Sequence, residues 1–524
     1  MSQTLSVVIP TCNRNQVLIK TLSFLSRGSV IPDEVIIVDD ASDVAVRSFV
    51  DPAKYPFSLK IIRHDVNRGA SAARNTGIRS ANGYLLLLMD DDIWPDHEMI
   101  HYHKYMHKVH PSEKYGISGR VIFDPELIRT PLLHFLEEHG AYRGLSKLEE
   151  GELFSSGIIT ANISFKKSFL DKSTLFDEDF PFNRNEDTEF GLRLMNMGFE
   201  PRFHNAPSAR HHSFLTLENY YRILIQNGHS KAYWTSKKPD DTHFCHLFPR
   251  IIRHFPRQKQ FKKLYKDIII EFGDDFLNND IYHSPPYKVA DFNIFMKFAQ
   301  GWIQNMGMLE RWGNTISGFS NAIKVFLEAF SSKNRSKSIE LFRIGYKETE
   351  NFFPSALLFT DQLKRVGHFK EALEVIEPYK HNIWAKIKTG ELFYSLKEYQ
   401  KSYDTFIEVI ENTNHGKLVE NVQRGIARDW IRKLGKKLTH GKALLKRETV
   451  ISKNNFFTLD QFQDQSIDSS LLSTFRQDME LLNDFVSGYK GRFKKGYFFS
   501  LKILSYLKNR YLKNQEVISY KKYI

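Results

Sequence analysis

Three successive carboxylates, Asp90, Asp91 and Asp92, directly follow the apolar run YLLLLM. Two like charges about 4 Å apart repel by on the order of 4 kcal/mol at an effective dielectric of about 20, and a bound divalent cation would reverse that repulsion. Oxygen-only ligands suit Mg²⁺ or Mn²⁺, which also bridge diphosphate oxygens, so the cluster predicts a metal site. A solvated acidic turn or a helix N-cap stays open as the alternative, since Asp is favoured in both.

A second acidic group, Glu186-Asp187, begins the amphipathic helical pattern EDTEFGLRLMNMGF. The helix dipole keeps an acid at a helix N-terminus ionised, which is the state that a general base requires. A capping box without chemistry is the commoner reason for acids at this position. Glu189 and Arg193, spaced i and i+4, are predicted to form only a surface pair.

Polar residues also follow other apolar runs. Asp40 closes EVIIVDD, where a carboxylate can accept hydrogen bonds from a uracil ring or ribose hydroxyls, or can cap the next helix. Asn67-Arg68-Gly69 forms a turn into a helical pattern that carries Arg74. Positive side chains and a helix N-terminus at this turn could face phosphate.

These residues lie on a predicted alternation of strands and helices. LSVVIP, EVIIVDD, LKIIRHD and YLLLLM are typical of buried strands, and VLIKTLSFL and RGASAARNTGIRSA of helices between them. The alternation predicts a parallel sheet. Because ligands bind at the carboxyl ends of strands in open α/β sheets, we expect the loops near Thr11, Asp40 and Asp90 to share one crevice.

Beyond about residue 215, long helical patterns replace the strand patterns. GHFKEALEVIE (367–377) and KEYQKSYDTFIEVIE (397–411) align with Phe369 over Tyr399, and each follows another amphipathic helix. They resemble tetratricopeptide helical hairpins, at an offset of 30 residues where about 34 is usual. An ordinary helical bundle is the alternative.

Eight motifs in residues 5–213 resemble, in order and spacing, the family-2 glycosyltransferases. They are SVVIPTCNR, VDDAS, NRGASAARNTGI, MDDDIWPD, TANISFKKSF, FDEDF, NEDTEFGLRLMNMGF and ARHHS. The resemblance implies an α/β fold of the GT-A type and metal-dependent, inverting transfer of a sugar from a nucleoside-diphosphate-sugar donor. Lys172-Ser173-Thr174-Leu175 stands where many relatives carry a Gly-rich turn, which puts the acceptor-side geometry in doubt.

The resemblance also implies roles for individual residues. The implied nucleotide contacts are Pro10, Thr11, Asn13, Arg14, Asp40, Asn67, Arg74 and Asp90. Among these, Asp40 would hold the uracil or ribose, and Arg74 would lie near the diphosphate.

The implied ligands of Mg²⁺ or Mn²⁺ are Asp90, Asp91, Asp92 and His211. Two registers stay open among the acids, Asp90 with Asp92 or Asp91 alone, and His212 competes with His211. The implied catalytic pair is Glu186 and Asp187, with Asp187 as the general base.

Other interpretations fit the sequence less well. PTCNRN satisfies neither the GxGxxG of a dehydrogenase nor the GxxxxGK[ST] of a P-loop enzyme. His97 to His101 matches HExxH and His107 falls at the third ligand position, but Lys104 stands where the longer zinc-protease pattern needs Gly. A sugar nucleotidyltransferase and a catalytically degenerate sugar-nucleotide-binding scaffold remain as alternatives.

Length and composition bound the organisation of the chain. With 524 residues, of which 41% are hydrophobic, it can form two to four packed domains. We predict a GT-A domain in residues 1–230, a helical linker in 231–330, tetratricopeptide-like hairpins in 331–415 and a basic helical region in 416–524. The two cysteines, Cys12 and Cys245, form neither a disulfide framework nor a thiolate zinc site.

The formal net charge of +13 indicates an anionic partner. Residues 490–524 carry ten Lys or Arg and one acid, and 430–447 are similar. Peripheral contact with anionic lipid, nucleic-acid binding and a solvated helical face are the possible interpretations, and no recognisable motif supports nucleic acid.

The expected location follows from the absence of an apolar run of membrane-spanning length and of a signal-peptide pattern. We expect a cytoplasmic chain, with the inner face of the membrane as a peripheral alternative. The expected acceptor is a cell-envelope or other polysaccharide, a lipid-linked glycan or a protein.

Overall fold

The computed structural model describes residues 3–140, 147–154, 157–237, 248–252, 272–278, 280–281, 286–316, 318–349, 352–412 and 418–435. The chain divides into two compact units, residues 1–428 and 429–524. The basic stretches 436–447 and 490–524, on which the membrane prediction depends, lie outside the described residues. The four-part domain division stays a prediction.

Eight strands form one sheet. They are β1 (Leu5–Thr11), β2 (Glu34–Asp39), β3 (Ser58–Arg63), β4 (Leu85–Met89), β5 (Ile93–Pro95), β6 (Tyr115–Phe123), β7 (Asn162–Lys166) and β8 (Glu200–His211). Their order across the sheet is β3-β2-β1-β4-β7-β6-β8-β5. The first four are parallel, as predicted, whereas β7 is antiparallel to both β4 and β6. The sheet is therefore mixed.

The helices of the N-terminal part cover both faces of this sheet. They are α1 (Asn15–Leu25), α2 (Gly69–Ser80), α3 (Met99–Val109), α4 (Pro131–His139), α5 (Lys167–Leu170) and α6 (Glu186–Asn196). Side chains alternate between the faces along β1, so Val7 packs with Leu18 and Leu22 of α1. On the other face, Val8 packs with Ile78 of α2. Full burial stabilises each such side chain by about 1.5–3 kcal/mol.

Helix α2 approaches β1 closely at Gly77. A Cβ atom at this position would lie 2.3 Å from Cγ1 of Val8. Because no side chain fits there, the glycine allows the helix to lie directly on the strand. The N-terminal half of α2 is thereby fixed beside the carboxyl ends of β1 and β2.

The structure describes only helices beyond β8. They are α7 (Leu217–Lys237), α8 (Phe248–Ile252), α9 (Asp274–Asn278), α10 (Pro286–Thr315), α11 (Phe319–Ser331), α12 (Arg335–Glu348), α13 (Phe353–Val366), α14 (Phe369–Ile376), α15 (Ile383–Ser395), α16 (Tyr399–Glu411) and α17 (Leu418–Gly435). None of the helices described is both long and apolar enough to cross a membrane.

Six of these helices form three consecutive hairpins, α11 with α12, α13 with α14, and α15 with α16. The hairpins begin at residues 319, 353 and 383, so their offsets are 34 and then 30 residues. Ala372 of α14 and Ser402 of α16, which the sequence aligns, are both fully buried. The hairpins agree with the predicted helical pairs, and their identity as tetratricopeptide repeats stays a prediction.

Helix α7 crosses α10 at a contact between two glycines. A Cβ atom at Gly228 would lie 2.0 Å from the Gln304 carbonyl oxygen, and one at Gly307 would lie 2.2 Å from the Ile225 carbonyl oxygen. The two backbones therefore touch. This contact attaches the long helix α10 to α7, and α7 in turn contacts the segment that precedes α6.

Candidate active site

The pairing of β1 with β4 brings the first loop onto the acidic cluster. Thr11, the last residue of β1, donates a hydrogen bond from Oγ1 to Oδ2 of Asp91 (2.6 Å). Arg14 reaches Oδ1 of Asp91 (3.0 Å) and Oδ2 of Asp92 (2.8 Å). The Arg14 side chain is 40% exposed while both carboxylates are buried, so a cation stands at the opening of the acidic cluster.

Asp91 and Asp92 differ in their proton affinity although they are adjacent. Burial raises the pKa of Asp91 to about 7, and Arg14 only partly opposes this. Burial acts on Asp92 in the same direction, but His211 and Arg14 outweigh it and hold the pKa of Asp92 well below its usual range. Asp92 is therefore ionised at all moderate pH values, whereas Asp91 takes up a proton near neutrality.

His211 lies beside the acids because β5 pairs with the end of β8. Ile93 stands opposite His211 in that antiparallel pair, and Nε2 of His211 is 3.1 Å from Oδ2 of Asp92. His212, the competing histidine, instead bonds through Nδ1 to Oδ2 of Asp124 (2.7 Å). The structure thus places His211 at the acidic cluster and turns His212 away from it.

Asp124 is a site residue that the sequence reasoning missed. It directly follows β6, is fully buried, and pairs with His212, whose ring stacks on Trp94 at 3.9 Å. Asp124 thereby supports the strand end that carries His211. The rule that polar residues after strands gather at one sheet edge could have found it, but the apolar run VIF before Asp124 is shorter than the run YLLLLM before Asp90.

The acidic cluster offers a partial set of metal ligands. Asp92 and His211 adjoin, yet no group of three His, Cys, Asp or Glu side chains suited to a cation occurs among the residues that the structure describes. Mg²⁺ is commonly held by one or two carboxylates together with phosphate oxygens and water, without a complete protein cage. The donor set fits a cation that arrives with a diphosphate.

Asp40 closes the turn before α2. Its Oδ1 accepts a hydrogen bond from the Arg68 backbone N–H (2.9 Å), and its Oδ2 accepts one from the Gly69 N–H (2.7 Å). His64 bonds to Oδ1 as well (2.7 Å). Both carboxylate oxygens are therefore occupied by the helix turn. The capping alternative describes this arrangement, and a direct contact of Asp40 with the nucleotide stays a prediction.

The other residues predicted to contact nucleotide lie in β1 and in the loops after β1 and β3. Asn13 adopts a left-handed backbone (φ 55°) and accepts a hydrogen bond from the Asp43 N–H at 2.7 Å. Asn67 donates to the Asp40 carbonyl oxygen at 3.2 Å. Pro10 lies inside β1, opposite Val38. These contacts brace the loops after β1 and β2 against each other.

The predicted base lies at the start of α6, as the sequence indicates. Asp187 accepts a hydrogen bond from the Thr188 N–H to its Oδ1 (2.7 Å). Burial and the neighbouring Glu186 together raise the pKa of Asp187 to about 7, against the opposing effect of Arg74. A carboxyl group with this pKa can accept a proton near neutral pH.

Arg74 forms two ion pairs inside the site. It is 5% exposed, and its guanidinium bonds to Oδ1 of Asp90 (2.8 Å) and Oε1 of Glu186 (3.0 Å). Arg74 thereby links the acidic cluster after β4 to the first turn of α6. Its implied position near a diphosphate stays a prediction.

The prediction that Glu189 and Arg193 form only a surface pair is wrong. The expected surface pair is largely buried, since Glu189 is 2% exposed and bonds to Nε of Arg193 at 2.8 Å. Arg193 also donates to the carbonyl oxygens of Thr174 and Leu175. The pair therefore holds the segment that ends at Thr174 and Leu175. The i, i+4 spacing gave no sign of these partners, because they lie 18 and 19 residues away in sequence.

The HExxH match is not a metal site in the structure. His97 is 68% exposed and bonds to the adjacent Glu98. His107 is fully buried, with Nε2 2.9 Å from Oγ of Ser164. The two histidines thus lie in different surroundings, in agreement with the rejection of a protease.

The mixed sheet with helices on both faces defines a GT-A-type domain. Residues 6–153 match the sequence model of the family described as Glycosyl transferase family 2. The match confirms, for this part of the chain, the resemblance that the motifs indicated. The description of this family agrees with the expected enzyme class, a glycosyltransferase, and the activity of the whole chain stays a proposal.

Several curated proteins are similar to the chain. Hyaluronan synthase of Pasteurella multocida is 28% identical over 228 residues, which are 37% of this chain and 23% of that protein. Validoxylamine A glucosyltransferase of Streptomyces hygroscopicus subsp. limoneus is 26% identical over 214 residues, 36% of this chain and 47% of that protein. The chain spans less than half the length of each.

Solved structures are similar at a low level. S. aureus TarS residues 1–349 give a TM-score of 0.35 and 15% identity, covering 59% of this chain and 90% of that one. Mannosyltransferase PcManGT from Pyrobaculum calidifontis was solved with GDP-Man and Mn²⁺. It gives a TM-score of 0.35 and 14% identity, covering 67% of this chain and 86% of that one. These values are too low to transfer residue roles or ligands to this chain.

Proposed function

We propose that this chain transfers a sugar, with inversion at the anomeric carbon, from a nucleoside-diphosphate donor to an acceptor hydroxyl. One observation carries the proposal: Arg74 joins two acid groups of different character. The acids after β4 contact Arg14 and His211. The carboxylates and the histidine can bind a divalent cation, and Arg14 can pair with the diphosphate. The acids at the start of α6 include a carboxyl group whose pKa is about 7, as a general base requires.

The proposed donor site is the edge formed by the loops after β1, β2 and β4. Arg14 is its exposed cation, and Thr11 is hydrogen-bonded to Asp91 beside it. Arg14 can stabilise the charge that develops on a leaving diphosphate because it lies at the opening of the acidic cluster. UDP is the first nucleotide to test, since related enzymes use it most often.

In the proposed reaction, Asp187 removes the proton of the acceptor hydroxyl as that oxygen forms a bond to the anomeric carbon. The bond from this carbon to the diphosphate oxygen breaks on the opposite face, and the nucleoside diphosphate leaves with the electron pair. Burial of Asp187 favours this step, because a carboxylate held in a poorly solvated place accepts a proton readily near pH 7.

Mg²⁺ or Mn²⁺ would be held by Asp92 and His211, with Asp90 or Asp91 as a further ligand. When bound, the cation would neutralise charge on the diphosphate. Arg14 contacts both Asp91 and Asp92, so it shares the acids with the cation and keeps them aligned when no donor is present.

The proposed acceptor is a growing glycan. Relatives named hyaluronan synthase and chondroitin synthase support this class. A lipid-linked glycan and a protein remain within the proposal, because the segment around Thr174 departs from the family pattern on the expected acceptor side. Peripheral contact with anionic lipid through the basic C-terminal region would suit a membrane-linked acceptor.

The test is release of nucleoside diphosphate from a panel of UDP-, GDP- and CDP-sugars by the purified chain, with Mn²⁺ and with EDTA. We expect release from one nucleotide class, dependent on the metal and stimulated by a glycan acceptor. NMR of the anomeric proton in the product should show the configuration opposite to that of the donor.

Different results would favour the alternatives. Pyrophosphate release from a nucleoside triphosphate and a sugar phosphate would identify a nucleotidyltransferase. Metal-dependent nucleotide binding without turnover across all acceptors would favour a binding scaffold. A product that retains the donor configuration would contradict the role of Asp187 as a base.

A further inference from the structure

Arg74 is a buried cation held between two elements that are distant in sequence. Nη2 contacts Asp90, which lies 16 residues along the chain, and Nη1 contacts Glu186, which lies 112 residues along it. The guanidinium also lies 5.7 Å from the centre of the Phe176 ring. Among the residues that the structure describes, Arg74 is the cation that pairs with the Glu186 carboxylate.

The first turn of α6 lacks a side-chain cap at its start. Asn185, the residue before the helix, has a left-handed backbone (φ 63°) and no capping hydrogen bond from its side chain. Oε2 of Glu186 is buried and has no hydrogen-bond partner within the described part of the chain. The contact between Arg74 and Oε1 of Glu186 therefore helps to orient this turn and Asp187 within it, together with the Glu189–Arg193 pair and the hydrogen bond from Asn185 to Asn227.

We propose that Arg74 is a positioning residue that couples the donor side of the site to its base. It holds Asp90 with one guanidinium nitrogen and Glu186 with the other, and so fixes the turn that carries Asp187. The inference rests on the proposed function, and it assigns Arg74 a role other than the diphosphate contact implied by the family resemblance. A single planar fork suits this task because it bonds two carboxylates at once.

The charges around Asp187 also support a positioning role for Arg74. Glu186 on the same helix and Asp90 from the loop after β4 both raise the pKa of Asp187, and Arg74 from α2 lowers it. The Thr188 N–H also favours the ionised form. Loss of Arg74 would therefore leave Asp187 among like charges and reduce its ionised fraction at neutral pH.

The experiment compares Arg74→Gln and Arg74→Lys in the full chain. Arg79→Gln is the control, because Arg79 lies on the same helix and its side chain is 62% exposed. Steady-state transfer as a function of pH gives kcat and the donor KM, calorimetry with the nucleoside diphosphate and Mn²⁺ gives Kd, and thermal melting reports folding.

For Arg74→Gln we expect kcat at pH 7 to fall by about 10²-fold, the size of effect that a misplaced catalytic group produces. The acidic limb of kcat should move to higher pH, and the nucleotide Kd should stay within about twofold of wild type. For Arg74→Lys we expect a smaller shift of the acidic limb of the pH profile, because lysine keeps the positive charge. Its kcat should still fall, because lysine lacks the planar guanidinium that bonds two carboxylates at once.

A donor KM and nucleotide Kd that rise together at unchanged kcat would overturn the inference, because that pattern belongs to a direct diphosphate contact. If Arg74→Gln fails to fold, Arg74→Lys decides between the same two patterns. If the wild type transfers no sugar at all, the proposed function fails, and the nucleotide Kd of the variants still separates a positioning residue from a phosphate ligand.

Discussion

Asp91 and Asp187 each have a pKa raised to about 7, principally by burial. Their neighbours nevertheless separate their roles. Asp91 accepts a hydrogen bond from Thr11 and lies against Arg14, which suits a group that faces a cation or a diphosphate. Asp187 lies beside Glu186 at a helix start and has no such exposed partner, which suits a group that takes up a proton.

The role of Asp187 predicts the behaviour of a conservative variant. Asp187→Asn keeps the size of the side chain but cannot accept the acceptor proton, so transfer should fall by about 10²–10⁴-fold. Binding of the nucleotide with Mn²⁺ should stay unchanged, because Arg14 and the acids after β4 are intact. Transfer assays and calorimetry measure the two quantities.

Asp171→Asn is the matched control, since Asp171 pairs with Lys167 at the surface and its side chain is 55% exposed. Normal turnover by Asp187→Asn would remove Asp187 as the base. Loss of turnover in both variants would indicate a general effect of the substitutions on the fold.

The pKa of Asp187 also predicts a pH dependence. The base acts when it is deprotonated, so transfer should be highest above about pH 7 and should decline as the pH falls below that value. A kcat profile with saturating donor measures the limb. A flat profile between pH 5 and about pH 8 would contradict a base with this pKa.

At the scale of elements, the part of the site that follows the parallel strands β1, β2 and β4 could be predicted from the sequence. The part formed by the antiparallel pair of β5 and β8 could not. The strand, helix, strand alternation places Thr11, Asp40 and Asp90 after neighbouring strands, and local sequence is sufficient for this. The pairing of β5 with β8 brings His211 to Asp92, and these two residues lie 119 positions apart in the sequence. A single sequence carries no local signal of such a pair, although the family resemblance implied a histidine there.

The same limit explains why the sequence alone does not predict the partners of Arg74. Its helix could be predicted from RGASAARNTGIRSA, and its position near the acids follows from the sheet. Its partner Glu186 belongs to a helix that packs from another part of the chain. Charge alone suggested phosphate, whereas the tertiary structure supplies two carboxylates.

The crossing of α7 and α10 makes an element-scale prediction. Gly307→Ala adds a methyl group where the Ile225 carbonyl oxygen lies 2.2 Å away, so the helices must separate. We expect the free energy of unfolding to fall by about 1–3 kcal/mol, the usual cost of overpacking. Chemical denaturation measures this change.

Gly301→Ala is the control on the same helix, because a Cβ atom there meets nothing within 4 Å. It should stabilise the chain by up to about 1 kcal/mol through helix propensity. Equal stability changes in the two variants would contradict the close contact of α7 with α10.

At the scale of the whole molecule, the helical part is linked to the site through α7. Tyr233 of α7 donates a hydrogen bond to Asp177 (3.1 Å), and Asn185, directly before α6, bonds to Asn227 of α7 at 3.4 Å. The segment 177–185 thus lies against a helix that the rest of the helical part supports. This arrangement suits a helical half that positions the acceptor, which stays a proposal.

The central claim is a metal-dependent nucleotide site at the carboxyl ends of β1 and β4. Calorimetric titration of the full chain with UDP, GDP and CDP, with Mn²⁺ and then with EDTA, tests it most directly. Asp92→Asn serves beside the wild type, because Asp92 contacts both Arg14 and His211. The proposed function predicts binding of one nucleotide that EDTA and Asp92→Asn both weaken by about tenfold or more. Binding that neither change affects, or no binding of any nucleotide, would contradict it.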